Sequence, residues 1–494
     1  MPHASYPDIA PPGLQAIILC GPGSSFPTFT VGETPKALLP VANRPMVWYP
    51  IDFCYRMGIT NITIITPPSS EVALTKAFNI NPHLTNLDLS KPILAPKDLT
   101  LTTGTAQILR LPEVQAIIKG DFVILPCDLV CDFEGQRLLE VWMRSNIGIG
   151  DATGAGADSN GFDEETHRKG GLGVWYDTKG ETVIKGEETD FIATAPLESS
   201  IIPPAKKSIA SYVSNLVYSL PTDTLKDVTT SKNSLAIRHG LLRAHPRIKM
   251  RSSHRDAHIY IFPRWVVDMV NSNEHMDSIG EDVIGWWAKA EWQVGLANKL
   301  GFEDGFNLAA SAHADDSSSD HTSRNDGEFH SKSSTWTSDL QNSLPSQNAK
   351  PDVPRFLAYI HPKSPESGAA QLIRRVDTAP LLLSVSLQLA KLEAIDTAGR
   401  DAAPFAHSSK VIYPEGIAQR TTVTRPDCLL AENVKVEEKC SIKECVVGAN
   451  CHIKEGAKLV KCVLMEGVVV GKGCKLNGCI LGRNSVIGQD SRID

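Results

Sequence analysis

Aliphatic residues in the last part of the chain recur every seventeen positions, and this spacing restricts the possible folds more than any other feature of the sequence. Three such columns run in register, and they divide one period into steps of five, six and six residues. A hexapeptide step of this kind is typical of a parallel β-helix, in which each turn of chain stacks on the turn before it. The columns are Val436, Ile453, Val470 and Ile487; Ile442, Leu459, Leu476 and Ile493; and Leu430, Val447, Leu464 and Leu481.

The repeat predicts a short left-handed parallel β-helix over residues 412–494, with glycine and asparagine at corners that need a left-handed backbone. A second set of inward positions is predicted at Val446, Val463 and Ile480. The residues just before them are Cys445, Cys462 and Cys479. By alternation we expect these three thiols to face outward, stacked about 4.8 Å apart. A bare row of thiols between apolar corners would be a liability, so they are interface candidates that another segment or subunit would cover.

Length and charge limit the class of protein. A chain of 494 residues predicts two or three domains. The net charge of −7 argues against a direct nucleic-acid partner. No run of eighteen apolar residues predicts a membrane span, and the first residues lack the pattern of a secretory signal. Eleven cysteines without a small disulfide framework fit a reducing compartment, so we expect a protein of the cytosol, within the cytoplasm.

Continuous apolar runs in the first part of the chain predict buried parallel strands at 15–20, 61–66 and 121–126. A helix is predicted over 46–57, and the alternation over 141–149 predicts a further strand. Strands that alternate with helices indicate a parallel α/β sheet.

The predicted division of the chain follows changes in composition, since polar tracts rich in serine, aspartate and asparagine cannot bury a core. It consists of a flexible N-terminus at 1–13, an α/β domain at 14–308 with polar surface insertions near 151–169 and 187–208, a disordered linker at 309–352, a connecting strand and helix at 353–411, and the β-helix at 412–494.

Four motifs follow the predicted strands in an informative order. The glycines Gly21 and Gly23 form a turn that could cradle anionic oxygens. Lys36 follows in a Thr-Pro-Lys sequence, Gly104 begins Gly-Thr-Ala, and Asp128 comes just after a strand. Each is weak alone. Together, and followed by a hexapeptide β-helix, they resemble the nucleotidyltransferases that make sugar nucleotides.

That resemblance implies a Rossmann-like nucleotidyltransferase-type domain with a mostly parallel sheet, followed by the short C-terminal left-handed β-helix. It also implies attack of a sugar phosphate on a nucleotide α-phosphate, assisted by cations and Mg²⁺. The charged groups are incomplete, however, because Ser25 stands where the family has an arginine. One carboxylate, Asp128, does not make the two-carboxylate magnesium site, and it is as easily a strand-end group that caps a turn. We therefore predict no catalytic residue, metal or cofactor, and only a vestigial nucleotide site at Gly21, Gly23, Lys36, Gly104 and Asp128.

A more specific resemblance is carried by the run KALLPVANRPMVWYP over 36–50, by 245–248 (HPRI), by 256–260 (DAHIY) and by 359–361 (YIH). These segments are similar to the gamma-subunit family of eukaryotic translation initiation factor 2B. The similarity covers roughly 14–150, 230–300 and 353–494.

Membership of that family would imply a non-catalytic subunit of the guanine-nucleotide exchange factor for initiation factor 2. It implies pairing with an epsilon subunit, which carries the exchange activity, inside a decamer of two copies each of five subunits. Initiation factor 2 would be the substrate GTPase.

The motifs leave three alternatives open. The first is an active sugar-1-phosphate nucleotidyltransferase, such as a mannose-1-phosphate guanylyltransferase. The second is a pocket that retains a nucleotide as a regulator. The third is a hexapeptide acyltransferase, for which His452 is the candidate histidine within the repeat.

Overall fold

The chain has a mixed α/β fold with a coil of parallel strands at its C-terminal end. The computed structural model describes residues 13–21, 26–30, 34–85, 93–100, 102–146, 169–179, 184, 187–197, 208–293, 295–302, 353–362, 371–399 and 402–493. The strands that precede the coil are β1 (Gln15–Leu19), β2 (Pro40–Val41), β3 (Arg44–Pro45), β4 (Ile62–Ile65), β5 (Ile93–Leu94), β6 (Phe122–Pro126), β7 (Leu129–Cys131), β8 (Gly171–Asp177), β9 (Asp190–Ala195), β10 (Val213–Leu220), β11 (Lys249–Phe262), β12 (Phe356–Ile360) and β13 (Ile373–Arg375).

Helices cover both faces of the main sheet with two apolar layers, one on each side. None of the described helices is both long and apolar enough to cross a lipid bilayer. The α-helices are α1 (Trp48–Arg56), α2 (Pro68–Ile80), α3 (Thr105–Arg110), α4 (Pro112–Ile117), α5 (Gln136–Asn146), α6 (Thr222–Lys232), α7 (His239–Ala244), α8 (Trp265–Ser272), α9 (Ile284–Ala290), α10 (Leu296–Lys299), α11 (Ala379–Ala390) and α12 (Ile395–Ala398). A π-helical turn covers Ile279–Val283, and 3-10 turns cover Lys36–Leu38, Ile209–Tyr212 and Pro414–Gly416.

Nine strands form the main sheet in the order β5-β4-β1-β6-β11-β8-β12-β10-β9. The first four strands are parallel, with Leu19 paired to Ile65 on one side and to Pro126 on the other. The three predicted parallel strands and the helix predicted over 46–57 are confirmed. The rest of this sheet is mainly antiparallel, with one parallel pair between β8 and β12, so the sheet is mixed rather than mostly parallel.

The strand predicted over 141–149 is wrong where the structure describes it, because residues 136–146 form helix α5. Leu138, Leu139 and Trp142 are buried at the spacing of one helical face. The stretch is so short that apolar residues separated by one position fit the period of a strand as well as that of a helix. Residues 147–149 lie outside the described part of the chain.

Two parts of the predicted domain division need correction. Residues 190–195, expected in a surface insertion, form β9, which pairs with both β10 and β11 in the main sheet. The polar character of this region reflects buried hydrogen bonds, since the carboxylate of Asp190 accepts from the backbone N–H of Asp256 at 2.8 Å. Strand β12, expected in a connector, lies inside the sheet between β8 and β10. Most of the predicted insertion at 151–169 and the linker at 309–352 lie outside the described residues.

Thirteen strands form the C-terminal coil, in three parallel sheets with the orders β14-β17-β20-β23-β26, β15-β18-β21-β24 and β16-β19-β22-β25. The strands are β14 (Thr422–Val423), β15 (Leu429–Leu430), β16 (Lys435–Val436), β17 (Ser441–Lys443), β18 (Val446–Val447), β19 (His452–Ile453), β20 (Lys458–Val460), β21 (Val463–Leu464), β22 (Val469–Val470), β23 (Lys475–Asn477), β24 (Ile480–Leu481), β25 (Val486–Ile487) and β26 (Arg492–Ile493). Each predicted column is a row of paired residues, for example Ile442, Leu459 and Leu476. This arrangement fits the predicted parallel β-helix.

Left-handed backbone conformations recur at all three corners of the coil, every seventeen residues. These conformations allow the chain to turn tightly between short strands, and some of them are adopted by non-glycine residues. The three sets are Asn433, Asn450, Gly467 and Asn484; Lys439, Gly456, Gly473 and Asp490; and Glu444, Lys461 and Gly478.

The predicted outward orientation of the cysteine column is wrong. Cys445 and Cys462 are fully buried inside the coil, and the half-buried Cys479 packs against the same interior. Successive side chains in a strand point to opposite faces, so Val446 cannot share the inward direction of Val447. Val446 and its neighbours in that column instead face outward and pack against α11. Since the thiols lie inside the coil, they offer no direct contact to a partner.

Candidate functional site

A cavity of about 220 Å³ opens at the carboxyl ends of β1, β4 and β6. Parallel strands of one sheet end at the same edge, which is where α/β sheets usually bind ligands. Gly21, Lys36 and Asp128, three of the five residues predicted for the nucleotide site, line this cavity. Apolar side chains from β1, β4 and β6 form one wall, and the loop before α3 contributes Thr100 and Thr103.

The backbone brings Lys36 and Asp128 together from positions far apart in the sequence. Lys36 begins a 3-10 turn directly after Pro35, and Asp128 follows the last residues of β6. The ammonium Nζ of Lys36 lies 2.7 Å from Oδ2 of Asp128. Both side chains are largely buried, with 11% and 2% of their surfaces exposed. The carboxylate of Asp128 is therefore paired with Lys36, another residue of the predicted nucleotide site.

A second cation, Arg375, was missed by the sequence reasoning. Strand β13 pairs antiparallel with β7, which places Arg375 beside Leu129 and thus beside Asp128. The guanidinium nitrogens Nε and Nη2 of Arg375 lie 3.4 Å from the two oxygens of Asp128. Its Nη1 lies 3.2 Å from Nε2 of His258. No local pattern in the sequence links an arginine of β13 to a carboxylate near residue 128, because only tertiary pairing of β13 with β7 joins them.

The two cations determine the charge state of Asp128. Burial alone would raise its pKa, but Arg375 and Lys36 reverse this and hold the pKa well below the usual range. Burial alone would lower the pKa of Arg375, but the charges of Asp128 and Asp377 outweigh this effect and raise the pKa. Asp128 is thus an ionised carboxylate with both oxygens occupied. In the described part of the chain, no group of three histidine, cysteine, aspartate or glutamate side chains is arranged to hold a metal ion.

Arg375 also belongs to a network of charged and polar side chains beyond Asp128. Asp377 lies 3.9 Å from Arg375 and also accepts a hydrogen bond from the guanidinium of Arg255. Arg255 in turn lies 3.9 Å from Glu187, which accepts a hydrogen bond from the hydroxyl of Tyr176. Alternating charges in a buried network restrict the side chains to one arrangement. The position of Arg375 is therefore set by groups outside the cavity as well as by Asp128.

Gly104, the fourth described residue of the predicted nucleotide site, lies beside the cavity. It is not among the residues that line the cavity, although its neighbours Thr103 and Thr105 are. A Cβ at position 104 would lie 2.1 Å from the backbone oxygen of Asp277, which also accepts a hydrogen bond from Ala106. The glycine thus permits close approach of two backbone segments beside the cavity. Gly23 and Ser25, the other residues discussed for the phosphate loop, lie outside the described residues.

The motif at 256–260 contributes two residues to the lining of the cavity. His258 has a positive φ of 53° and its ring stacks on Tyr260 at 5.7 Å, and both side chains line the cavity. Burial, followed by the charge of Arg375, lowers the pKa of His258 well below its usual value. Burial and the nearby Asp190 raise the pKa of Asp256 to about 7. Asp256 also accepts a hydrogen bond from the hydroxyl of Tyr260.

Comparison with known proteins gives matches to both parts of the chain. The family model described as the GMPPB C-terminal domain matches residues 424–494. The gamma subunit of translation initiation factor eIF2B from Schizosaccharomyces pombe is 25% identical over 280 residues, which is 56% of this chain and 52% of that protein. The gamma subunit of eIF2B from Caenorhabditis elegans is 25% identical over 225 residues, 44% of this chain and 54% of that protein.

The matches confirm the resemblance to eIF2B gamma subunits that the sequence motifs predicted. Each match spans about half the length of the curated relative.

Proposed function

We propose that this chain is a non-catalytic subunit of the guanine-nucleotide exchange factor for translation initiation factor 2. The observation that carries the proposal is the similarity to eIF2B gamma subunits of two species. In this proposal the chain pairs with an epsilon subunit within a decamer in the cytosol, and it supports GDP release from initiation factor 2 without performing chemistry of its own.

The proposed loss of transferase activity is supported by the surroundings of Asp128. Magnesium in such a site needs free carboxylate oxygens, and those of Asp128 are held by Lys36 and Arg375. A metal ion would have to displace a buried guanidinium and would then lie next to its positive charge. Neither step is favourable, because like charges at close range repel strongly in a buried site.

Two finer features of the fold belong to the same proposal. The parallel part of the main sheet has the order β5-β4-β1-β6, the 3-2-1-4 order of a Rossmann-like sheet, which supports a nucleotidyltransferase-type domain. Steps of five and six residues between the columns of the coil support a left-handed β-helix.

Co-expression with an epsilon subunit tests the main proposal. The expected result is a stoichiometric complex that releases GDP from initiation factor 2 faster than epsilon alone. A chain that stays apart from epsilon during gel filtration and native mass spectrometry, and that leaves GDP release unchanged, would contradict the proposal. Incubation of the chain with NTP, sugar 1-phosphates and Mg²⁺ is expected to release no pyrophosphate, whereas steady release would establish the transferase alternative.

The cavity favours one additional proposal, the retention of a nucleotide as a regulator at Gly21, Gly23, Lys36 and Asp128. Its apolar wall and its threonine hydroxyls suit a base and a ribose, as ligand pockets generally combine such surfaces. Since Asp128 is neutralised by protein cations, binding should not need Mg²⁺. Calorimetry with millimolar nucleotide, with and without EDTA, measures this, and no heat in either solution would refute it.

A further inference from the structure

Two cysteines lie side by side at the floor of the cavity. Cys20 follows the last residue of β1, and Cys127 follows the last residue of β6. The preceding residues Leu19 and Pro126 are paired, and the backbone N–H of Cys127 donates to the oxygen of Leu19 at 3.0 Å. Both cysteine side chains line the cavity. They share one face of the sheet because each comes one position after the same paired level.

The spacing of neighbouring strands suits a disulfide at this level. Adjacent strands lie about 4.8 Å apart, and disulfides join Cα atoms about 4.4–6.8 Å apart. The two thiols are close enough that each is the largest influence on the pKa of the other. Both residues lie just beyond Leu19 and Pro126, the last paired residues of their strands.

The surroundings favour one of the two thiols as the nucleophile. The interaction between the two thiols raises the pKa of Cys20 and lowers the pKa of Cys127. The charge of Lys36 lowers the pKa of Cys127 further, against the effect of burial. A thiolate is the reactive form of cysteine, and nearby cations increase its population. Cys127 is therefore suited to attack, with Cys20 placed to resolve the product.

We propose that Cys20 and Cys127 form a reversible dithiol–disulfide site that reacts with small hydroperoxides entering the cavity. The Cys127 thiolate attacks one peroxide oxygen, the O–O bond breaks, and the departing hydroxide takes a proton to give water. The Cys20 sulfur then attacks the sulfenic sulfur of Cys127, the S–O bond breaks, and hydroxide leaves with the Cys20 proton as a second water. Two thiols and one hydrogen peroxide thus become one disulfide and two waters.

The coil provides an internal comparison within the same molecule. Cys445 and Cys462 also lie side by side, with the backbone N–H of Cys462 3.4 Å from the sulfur of Cys445. The pKa of Cys462 is lowered to about 7, chiefly by the neighbouring thiol of Cys445. Both side chains are enclosed by the coil and neither lines the cavity. A low thiol pKa is not sufficient for reaction when peroxide cannot reach the sulfur, so this pair is expected to resist peroxide.

Peptide mapping of the full chain after treatment with hydrogen peroxide tests the site. The chain is exposed to peroxide, alkylated in denaturant, digested and analysed by mass spectrometry. The expected product is a peptide cross-linked between Cys20 and Cys127, lighter by two hydrogens and released by dithiothreitol. It should form about tenfold faster than any cross-link between Cys445 and Cys462. Equal rates for the two pairs, or recovery of both Cys20 and Cys127 as alkylated thiols, would overturn the proposal.

Variants assign the order of attack. In Cys20→Ser the resolving sulfur is absent, so the sulfenic acid at Cys127 should persist and be trapped by dimedone. In Cys127→Ser no dimedone adduct should form at Cys20. Cys54→Ser, at a fully buried thiol in α1, is the matched control and should keep the cross-link. Dimedone labelling at Cys20 in Cys127→Ser, equal to that at Cys127 in Cys20→Ser, would contradict the assigned roles, and circular dichroism reports whether each variant is folded.

Discussion

Replacement of Arg375 by methionine removes one of the two cations that engage Asp128 and keeps a side chain of similar length. Asp128 would retain Lys36 at 2.7 Å and lose both contacts to the guanidinium. Asp377 would keep Arg255 as a partner. The substitution therefore leaves a buried carboxylate with half of its compensating charge.

The magnitude follows from burial. The side chains of Arg375 and Asp128 are only 16% and 2% exposed, so water cannot replace the lost contacts. Removal of one partner from a buried ion pair costs about 3–5 kcal/mol of stability. Because Lys36 remains in place, we expect Arg375→Met to cost about 3 kcal/mol, at the lower end of that range.

Urea unfolding followed by tryptophan fluorescence measures this effect. All eight tryptophans lie before residue 337, so the signal reports on the first part of the chain and not on the coil. Arg137→Met is the matched control, because Arg137 and Glu134 form a pair 2.7 Å apart whose side chains are 48% and 62% exposed. Exposed pairs contribute about 0–1 kcal/mol. Arg137→Met should therefore leave the unfolding midpoint nearly unchanged.

The pH dependence gives a second, independent check. Since the folded pKa of Asp128 is depressed, its stabilisation is complete above the unfolded value of about 3.9 and is lost progressively as pH falls from there through the lower folded value. The difference between wild type and Arg375→Met should thus be constant from about pH 6 to 8 and shrink below about pH 4. A variant that matches the wild type within about 1 kcal/mol at neutral pH would refute this account of the site.

Three further substitutions test other parts of the structure. Burial raises the pKa of Asp256 to about 7, so the protonated carboxyl contributes stability that is present below about pH 4 and is lost as pH rises through 7. Asp256→Asn should remove this loss of stability at high pH, and urea unfolding midpoints at several pH values measure it. Gly104→Ala should cost about 1–3 kcal/mol, because the added methyl meets backbone at 2.1 Å. Thermal unfolding measures this cost. Gly120→Ala, with open space around the added methyl, is the control and should have little effect in the same assay. Leu459→Ala should cost about 2–5 kcal/mol through a cavity inside the coil, whereas Val486→Ala, at a side chain 72% exposed, should cost less than about 0.5, both measured by circular dichroism melting.

Periodic and continuous apolar patterns determined much of the fold, since they depend only on neighbours along the chain. The seventeen-residue columns, including that of Ile442, Leu459 and Leu476, became rows of paired residues. The runs that gave β1, β4 and β6 had to be parallel strands, and their common edge brought Lys36 close to Asp128. Short or polar stretches were less informative: 141–146 is helical, and 190–195 is a strand of the sheet.

Only the tertiary structure decided what the site can do. Arg375 reaches Asp128 because β13 pairs with β7 across more than two hundred residues, and no local pattern encodes that pairing. The direction of the cysteine column likewise depended on which residue of each short strand faces inward, and a strand of two residues is too short for its own pattern to settle this. Packing against α11 fixed Val446 outward and therefore Cys445 inward. The sequence thus determined which residues lie at the strand ends and in the columns of the coil, while long-range pairing and packing determined which charges meet and which faces are covered.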